Sequence, residues 1–385
     1  MRIAIVHDWM TLSGGAEKVL EAILRMYPSA DLFCVVDFLP EAERGYLKNR
    51  KITTTFIQNL PFARSKYRSY LPLMPVAIEQ LNLTSYDLVI SSTHAVAKGV
   101  ITGPNQVHVC YCYSPIRYAW EMTYQYLEES KLTSGVKSWF AKLILHYIRI
   151  WDTRTANGVD AFMADSNFVA RRIKKCYGRD AITVYPPVEL DHFQVNHEKQ
   201  DFYLTASRFV PYKRVDLIVD AFRRMPERHL VVIGDGPDAN KVRALAGPNI
   251  EFLGRVSREQ MISYMQRAKA FVFAAQEDFG IVPVEAQACG TPVIAYGRGG
   301  ALETVNGVQS ASPTGVFFYE QTPEGLCAAV DEFENSCTRF TPENCRENAT
   351  RFSPEHFERE FRCVVDRALK ESLGDESTMT SVVSR

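Results

Sequence analysis

Short apolar runs alternate along this chain with longer stretches whose apolar side chains recur at helical spacing. Ile3 to Val6, Asp31 to Val36, Asp87 to Ser91, Val107 to Tyr113 and Ala161 to Ala164 read as strands in the first half. Between the first two, Ala16 to Met26 sets Val19, Leu20, Ile23 and Leu24 on one side of a helix. The pattern then repeats. Phe202 to Ala206, His229 to Ile233, Ile250 to Leu253, Ala270 to Ala275 and Pro292 to Ala295 read as strands, and Val215 to Met225 as a helix. Such alternation predicts an α/β class, with parallel sheets covered by helices on both faces. Two doubly wound domains in succession predict one cleft between them.

Tyr185-Pro186-Pro187-Val188 interrupts the pattern, because each proline keeps its predecessor out of the helical region. The expected division is a first domain over 1–185, a linker over 186–198 and a second domain over 199–352. A last helix over 353–370 carries Phe357, Phe361, Val364 and Val365 at helical spacing. The polar segment 371–385, rich in Ser and Thr, reads as a flexible tail.

Composition narrows the class. With 385 residues the chain is long enough for two domains, and 46% hydrophobic residues fit a soluble globular protein. Lys+Arg 44 against Asp+Glu 45 leaves a formal charge of -1, so no global field recruits nucleic acid. Nine scattered cysteines without a CxxC pair argue for reduced thiols rather than a disulfide framework or a zinc site. The first apolar run turns polar at His7-Asp8, too soon for a signal peptide, and no run approaches a membrane-spanning length. An intracellular protein is expected.

The chemistry concentrates where strands end. In Glu277-Asp278-Phe279-Gly280-Ile281-Val282-Pro283-Val284-Glu285, two carboxylates flank a glycine between a predicted strand and the helix after it. Ligands of open α/β sheets bind at that place, helix starts favour phosphates, and carboxylates accept hydrogen bonds from hydroxyls. A nucleotide sugar satisfies all three. Arg208 and Lys213 follow the strand Phe202 to Ala206, and a planar fork with a point charge suits a diphosphate. Gly14-Gly15 either lets the backbone approach a phosphate or makes an ordinary strand-to-helix turn. Gly234-x-Gly236-x-x-Ala239 matches the loose dinucleotide fingerprint, but Pro237 lies inside it and the expected acid is not placed. A tight turn near a nucleotide is the more economical reading. His94 and Tyr113 end two further strands and are expected to point into the cleft. No GxxxxGK[ST], HExxH, GxSxG or Asp-x-Asp pattern occurs, so Arg, Lys and backbone dipoles are left to meet a leaving-group charge without a metal ion.

Two segments hint at a membrane. Arg64-Ser65-Lys66-Tyr67-Arg68 precedes Tyr70-Leu71-Pro72-Leu73-Met74. Between Lys137 and Arg154, aromatic and aliphatic residues alternate with Lys142 and Arg149. Basic amphipathic helices lie well in an anionic interface; a helix packed on the sheet is the other reading of the second segment.

Gly14-Gly15, Arg208 with Lys213, and Glu277-x-Phe279-Gly280-x-x-x-x-Glu285, in that order, resemble family-four glycosyltransferases of the GT-B fold. The resemblance runs from Met1 to about Ala368. Within that family, Ser92-Thr93-His94-Ala95-Val96-Ala97-Lys98-Gly99 and Ser114-Pro115-Ile116-Arg117-Tyr118-Ala119-Trp120 resemble bacterial GDP-mannose-dependent mannosyltransferases of O-antigen (lipopolysaccharide) and exopolysaccharide synthesis. The resemblance implies two Rossmann-like domains facing a cleft, the first on the acceptor side and the second binding the nucleotide sugar. It implies a last helix that crosses back to the first domain. It also implies retaining, metal-independent transfer of mannose from GDP-mannose to a polyprenyl-diphosphate-linked oligosaccharide, with no cofactor. The enzyme would be cytoplasmic and peripheral at the inner face of the plasma membrane.

The same resemblance implies residue roles. Arg208 and Lys213 hold the diphosphate and stabilise the leaving nucleotide. Glu277 accepts hydrogen bonds from the sugar, beside the backbone of Phe279, Gly280, Ile281 and Val282. Glu285 binds the ribose diol, and the base lies near Gly234, Arg255, Val256 and Arg258. Gly14 and Gly15 approach the phosphates from the opposite domain. Many relatives carry a His where this chain has Tyr113. His108 cannot replace it, being roughly 16 Å away along a strand. Either His94 takes that part, or the leaving diphosphate accepts the acceptor's proton, which is the preferred route. Three rival readings remain: a GT-B epimerase, an NAD(P)-binding oxidoreductase built on Gly234 to Ala239, and a sugar-nucleotide sensor without turnover.

Overall fold

The computed structural model describes residues 1–11, 14–47 and 50–383, with side chains through 372. Two compact units emerge, Met1–Tyr185 with Phe357–Arg385, and Pro186–His356. Each is built on a sheet whose strand pairs are all parallel.

The strands of the first unit are β1 (Ile3–Met10), β2 (Asp31–Asp37), β3 (Ile52–Thr54), β4 (Leu88–Thr93), β5 (Val107–Cys112), β6 (Ala161–Ala164) and β7 (Ala181–Thr183). Their order across the sheet is β3-β2-β1-β4-β5-β6-β7. Every residue of β1 is buried, as a strand covered on both faces requires. Alternation splits its side chains between two cores: Ile3 and Ile5 join one, Ala4 and Val6 the other. The first core takes Val19, Leu20, Ile23 and Leu24 of the helix Gly15–Met26, the stripe read from their spacing. It also takes Phe357, Phe361, Val364, Val365 and Ala368, so the last helix completes this unit. The ring of Tyr111 lies 5.8 Å from that of Phe357 and 6.2 Å from that of Phe361. The second core takes Leu145, Ile148 and Trp151 from the helix Gly135–Thr155.

A buried ion pair ties that helix to the loop after β4. Lys98 Nζ stands 2.6 Å from Asp152 Oδ1, and the other oxygen accepts from Trp120 Nε1 at 2.8 Å and the Tyr177 hydroxyl at 2.9 Å. With both carboxylate oxygens engaged, the buried charge is tolerated.

The second unit holds β8 (Tyr203–Ala206), β9 (Leu230–Ile233), β10 (Ile250–Gly254), β11 (Ala270–Phe273), β12 (Val293–Tyr296) and β13 (Gly315–Phe318), in the order β10-β9-β8-β11-β12-β13. The helices Val215–Arg223 and Pro323–Asn335 bury Leu217, Ile218, Phe222, Leu326, Val330 and Phe333 against it.

Three expectations change. Residues 186–198 are not a free linker: Val188 N–H donates to the Phe352 carbonyl at 2.8 Å, Arg346 reaches the Phe193 carbonyl at 2.7 Å, and Phe193 is buried. The last helix spans Pro354–Val383 and so takes in most of the segment 371–385 expected as a tail; residues 384 and 385 lie outside the described residues. β1 also runs past Val6 through the polar pair His7-Asp8, both fully buried. No helix among the described residues is long and apolar enough to cross a membrane.

His108 sits inside β5, its Nε2 2.8 Å from Ser91 Oγ and its Nδ1 3.1 Å from the Gly158 carbonyl oxygen. Burial lowers its pKa to about 4, although the Gly158 carbonyl opposes the shift. The unfolded imidazole binds its proton near pH 6.5, so stability present above that value is lost as pH falls toward about 4. The loss from this group is about 3 kcal/mol. Urea titrations at pH 7 and pH 4.5 should show a shallower pH dependence in His108→Gln than in the parent chain; identical slopes would contradict a neutral buried imidazole.

Candidate active site

In both sheets the first strand of the unit lies inside, and the later strands were laid down on its two sides. β2 flanks β1 on one edge and β4 on the other; β9 and β11 flank β8 in the same way. Loops leaving such neighbours diverge at the carboxyl end and open a crevice. In the second unit these loops are 207–214 and 274–280, and they carry Arg208, Lys213 and Glu277.

The loop after β8 is fastened to the turn after β9. Phe209 is buried, its N–H donates to the Asp235 carbonyl at 3.0 Å, and its own carbonyl accepts from Asp238 N–H at 3.2 Å. A Cβ on Gly234, at φ 132°, would stand 1.8 Å from the Ser207 carbonyl oxygen, and one on Gly236 would stand 2.3 Å from that of Phe209. These glycines therefore admit another stretch of protein backbone, which removes the dinucleotide reading of Gly234 to Ala239. Beyond this, Pro211–Lys213 forms one 3₁₀ turn, and Arg214 reverses the chain into the next helix with a φ of 53°. A side chain in that region is strained and must be held. Arg214 reaches Gln321 at 3.1 Å, and the Gln321 amide donates to the Ala274 carbonyl at 2.8 Å. Arg214 and Gln321 thus join the two site loops. Sequence reasoning missed both, since the basic run Lys213-Arg214 does not say which residue bridges and which faces a ligand.

Lys213 and Glu277 form an ion pair across the crevice, each side chain about a fifth exposed (19% and 20%). Arg208, on the same loop as Lys213, is exposed. The Glu277 backbone is held from behind, where its carbonyl accepts from Gly300 N–H at 2.9 Å. Phe279 is buried, with its ring 5.3 Å from that of Phe352, so it anchors the loop by its side chain. Gly280, at φ 89°, then turns the chain into the helix Ile281–Ala288. The first amides of a helix have no intrahelical acceptor and favour an anion, and here they belong to Ile281 and Val282. Glu285 is buried one turn further on, with its Oε1 3.9 Å from an Arg258 nitrogen. Arg255 is exposed, 3.8 Å from Asp235, and Val256 is half-buried. The structure therefore joins Lys213 with Glu277 and Arg258 with Glu285.

The first unit closes its crevice with a residue not singled out from sequence. Asp8 is fully buried at the end of β1 and accepts backbone N–H groups from His94 (2.6 Å), Ala95 (2.9 Å), Val96 (2.7 Å) and Ala97 (2.7 Å). Its carboxylate also lies 3.2 Å from His94 Nδ1. The protein around His94 lowers its pKa by desolvation, and the Asp8 charge opposes that shift. The available signal was an acid just past an apolar run, where polarity was read as the strand's end.

Tyr113 is committed within this unit. Its hydroxyl donates to the Ala16 carbonyl at 3.0 Å and accepts from Ser92 Oγ at 2.9 Å. Ser92 Oγ in turn accepts from His7 Nδ1 at 3.1 Å. Burial pushes the Tyr113 phenol well above its ordinary range, so it keeps its proton. Gly14 and Gly15 are exposed, and the Gly14 N–H is taken by Glu17 Oε2 at 2.9 Å.

Gly234→Ala should destabilise the second unit by more than about 2 kcal/mol, because the new methyl meets backbone. Gly254→Ala, at φ 67° with open space around it, should cost only about 1 kcal/mol of left-handed strain. Equal losses in urea denaturation would refute the close packing of the two turns.

Residues 188–352 match the family model described as glycosyl transferases group 1. A GDP-mannose-dependent monoacylated alpha-(1-6)-phosphatidylinositol monomannoside mannosyltransferase of Corynebacterium glutamicum is 32% identical over 178 residues, covering 38% of this chain and 47% of the relative. An uncharacterized glycosyltransferase of Methanocaldococcus jannaschii is 29% identical over 224 residues, covering 56% of this chain and 60% of the relative. The chain thus spans about half the length of the relatives it matches. Anabaena HepE, crystallised with UDP, aligns at 18% identity over 95% of this chain and 100% of its own, with a TM-score of 0.67. A sucrose-phosphate synthase from Thermosynechococcus elongatus aligns at 17% identity over 96% of this chain and 100% of its own, with a TM-score of 0.68. At such identities the likeness shows the fold, which is GT-B with two Rossmann-like domains. Residues 188–352 are thus similar to the glycosyl transferases group 1 model.

Proposed function

We propose that this protein is a retaining hexosyltransferase that moves mannose from GDP-mannose to a hydroxyl of a polyprenyl-diphosphate-linked oligosaccharide, in O-antigen or exopolysaccharide synthesis. The observation that carries the reading is the Lys213–Glu277 pair at the switch point between β8 and β11, with Arg208 exposed on the same loop as Lys213. Without a donor, the ammonium and carboxylate neutralise each other. A bound diphosphate draws Lys213 and Arg208 to its oxygens and frees Glu277 to accept hydrogen bonds from sugar hydroxyls. As the glycosidic phosphate bond breaks, negative charge grows on the leaving diphosphate. The two cations and the first-turn amides of Ile281 and Val282 stabilise that charge without a metal ion.

The leaving phosphate accepts the acceptor's proton, since Tyr113 holds its own and spends it on Ala16. Glu285 serves the ribose diol and Arg258 lies beside the base. Donor identity draws support from relatives of Corynebacterium glutamicum and Mycobacterium tuberculosis named GDP-mannose-dependent. A UDP-sugar is the second reading, favoured by the UDP in complex with Anabaena HepE. The exposed basic segment around Lys66 and Arg68 and the helix Gly135–Thr155 support work at an anionic membrane, at its cytoplasmic face.

Calorimetric titration with GDP-mannose, UDP-glucose and an ADP-sugar should show tightest binding for the first; a clear preference for UDP-glucose would replace the donor, and no binding of any would end the reading. Lys213→Ala should cut turnover by about two to three orders of magnitude while the protein stays folded. Near-normal turnover would remove its role. Glu285→Ala should weaken nucleotide-sugar affinity by about tenfold or more. An unchanged dissociation constant would detach Glu285 from the ribose.

A further inference from the structure

A cavity of about 570 Å³ opens in the first unit between the segment 114–127, the helix Gly135–Thr155 and the helix Asn167–Tyr177. Its lining includes five cationic side chains, Arg117, Lys142, Arg149, Arg172 and Lys175, and one carboxylate, Glu121. Arg172 and Arg117 share a single oxygen of that carboxylate, at 2.7 and 3.3 Å. Arg149 donates to a neutral partner, the Ala119 carbonyl, at 2.8 Å. The lining thus brings five positive groups and one negative to a small volume. The walls between them are apolar: Pro115, Trp120, Tyr124, Leu127 and Leu145. Such a lining suits a multiply charged anion attached to an apolar body.

A second observation says what that body is. Val136, Trp139, Phe140, Leu143, Tyr147 and Ile150 are all exposed on the helix that forms one cavity wall. Their spacing sets them in one stripe along the helix, and an exposed apolar patch of this extent marks an interaction surface. Lys142 lines the cavity and is exposed next to that stripe, while Tyr124, also exposed, forms part of the opposite wall. Tryptophan and tyrosine beside basic residues suit the boundary between lipid headgroups and acyl chains.

We propose that this cavity binds the phosphate group of a membrane lipid, a phosphomonoester or diphosphate, while the exposed stripe of the helix Gly135–Thr155 lies in the lipid interface. The proposal deepens the membrane-facing part of the proposed function and rests on it. Lys142 and Lys175 reach the phosphate from solvent, and Arg149 and Arg172 meet it from inside. The cavity belongs to the first unit and the Lys213–Glu277 crevice to the second.

Co-sedimentation with phosphatidylcholine vesicles tests this, comparing added phosphatidic acid with phosphatidylglycerol at matched surface charge. The parent protein should prefer phosphatidic acid, whose phosphomonoester fits the cavity. Lys142→Gln with Lys175→Gln, both at exposed positions, should lower that binding on the order of twentyfold and erase the preference. Trp139→Ser with Leu143→Ser should weaken binding to both vesicles. Equal retention of the parent on both vesicles would reduce the site to general electrostatics and overturn the proposal. So would an unchanged preference in the lysine double variant. Titration with inorganic pyrophosphate separates the sources: binding lost in the lysine variant and as tight as to vesicles would assign the cavity to a soluble anion instead. Binding of an acidic peptide in preference to vesicles would assign it to a protein partner. The vesicle assay contains no sugar donor, and Lys213→Ala should keep the lipid preference, so a failed transferase reading remains distinguishable from a failed lipid site.

Discussion

A central first strand is the constraint on which both units depend. Because β1 and β8 each gain one neighbour early and another later on the opposite side, the loops leaving their carboxyl ends part company. Backbone amides there lose the continuous ladder that serves them elsewhere, and something else must answer them. The first unit uses a carboxylate. Asp8 gathers four successive N–H groups and becomes part of the wall. The second unit leaves the gap to a partly exposed ion pair and to the free end of a helix. One crevice is closed by a fully buried carboxylate, and the other by a partly exposed ion pair.

That difference has an energetic side. The Lys98–Asp152 pair is fully buried and surrounded by further donors, so breaking it strands a charge at a cost of about 3–5 kcal/mol. Lys213–Glu277 is less deeply buried, each side chain keeping about a fifth of its surface exposed (19% and 20%). The same chain thus carries two Lys–carboxylate pairs that differ in burial.

Most of the sheet was legible. Ten strands showed as apolar runs because parallel strands buried on both faces have no polar alternation. The three that did not show, β3, β7 and β13, are edge strands of three or four residues, too short for a period. The site divided along similar lines. Arg208, Lys213 and Glu277 stood out because charged side chains just past a buried strand have few structural uses. Glu285 followed from its place on the next helix. Asp8 was hidden because its partners are main-chain amides contributed by a loop more than eighty residues later. The glycines at 234 and 236 make the tight turn that the pattern suggested, but the pattern did not show that the backbone of Ser207 and Phe209 fills the space beside them. Tyr113 marks the same limit: position put it at a strand end, while its hydrogen bonds to Ala16 and Ser92 decide its use.

The return of the last helix to the first core has a temporal consequence. Residues 186–356 form one uninterrupted stretch and can reach their native packing as soon as the ribosome has exposed them. The opening 185 residues cannot, because Phe357, Phe361, Val364 and Val365 are still missing from the interior beside Tyr111. During synthesis the domain made first is therefore finished last, and until then it presents an apolar trough on which chaperones would act.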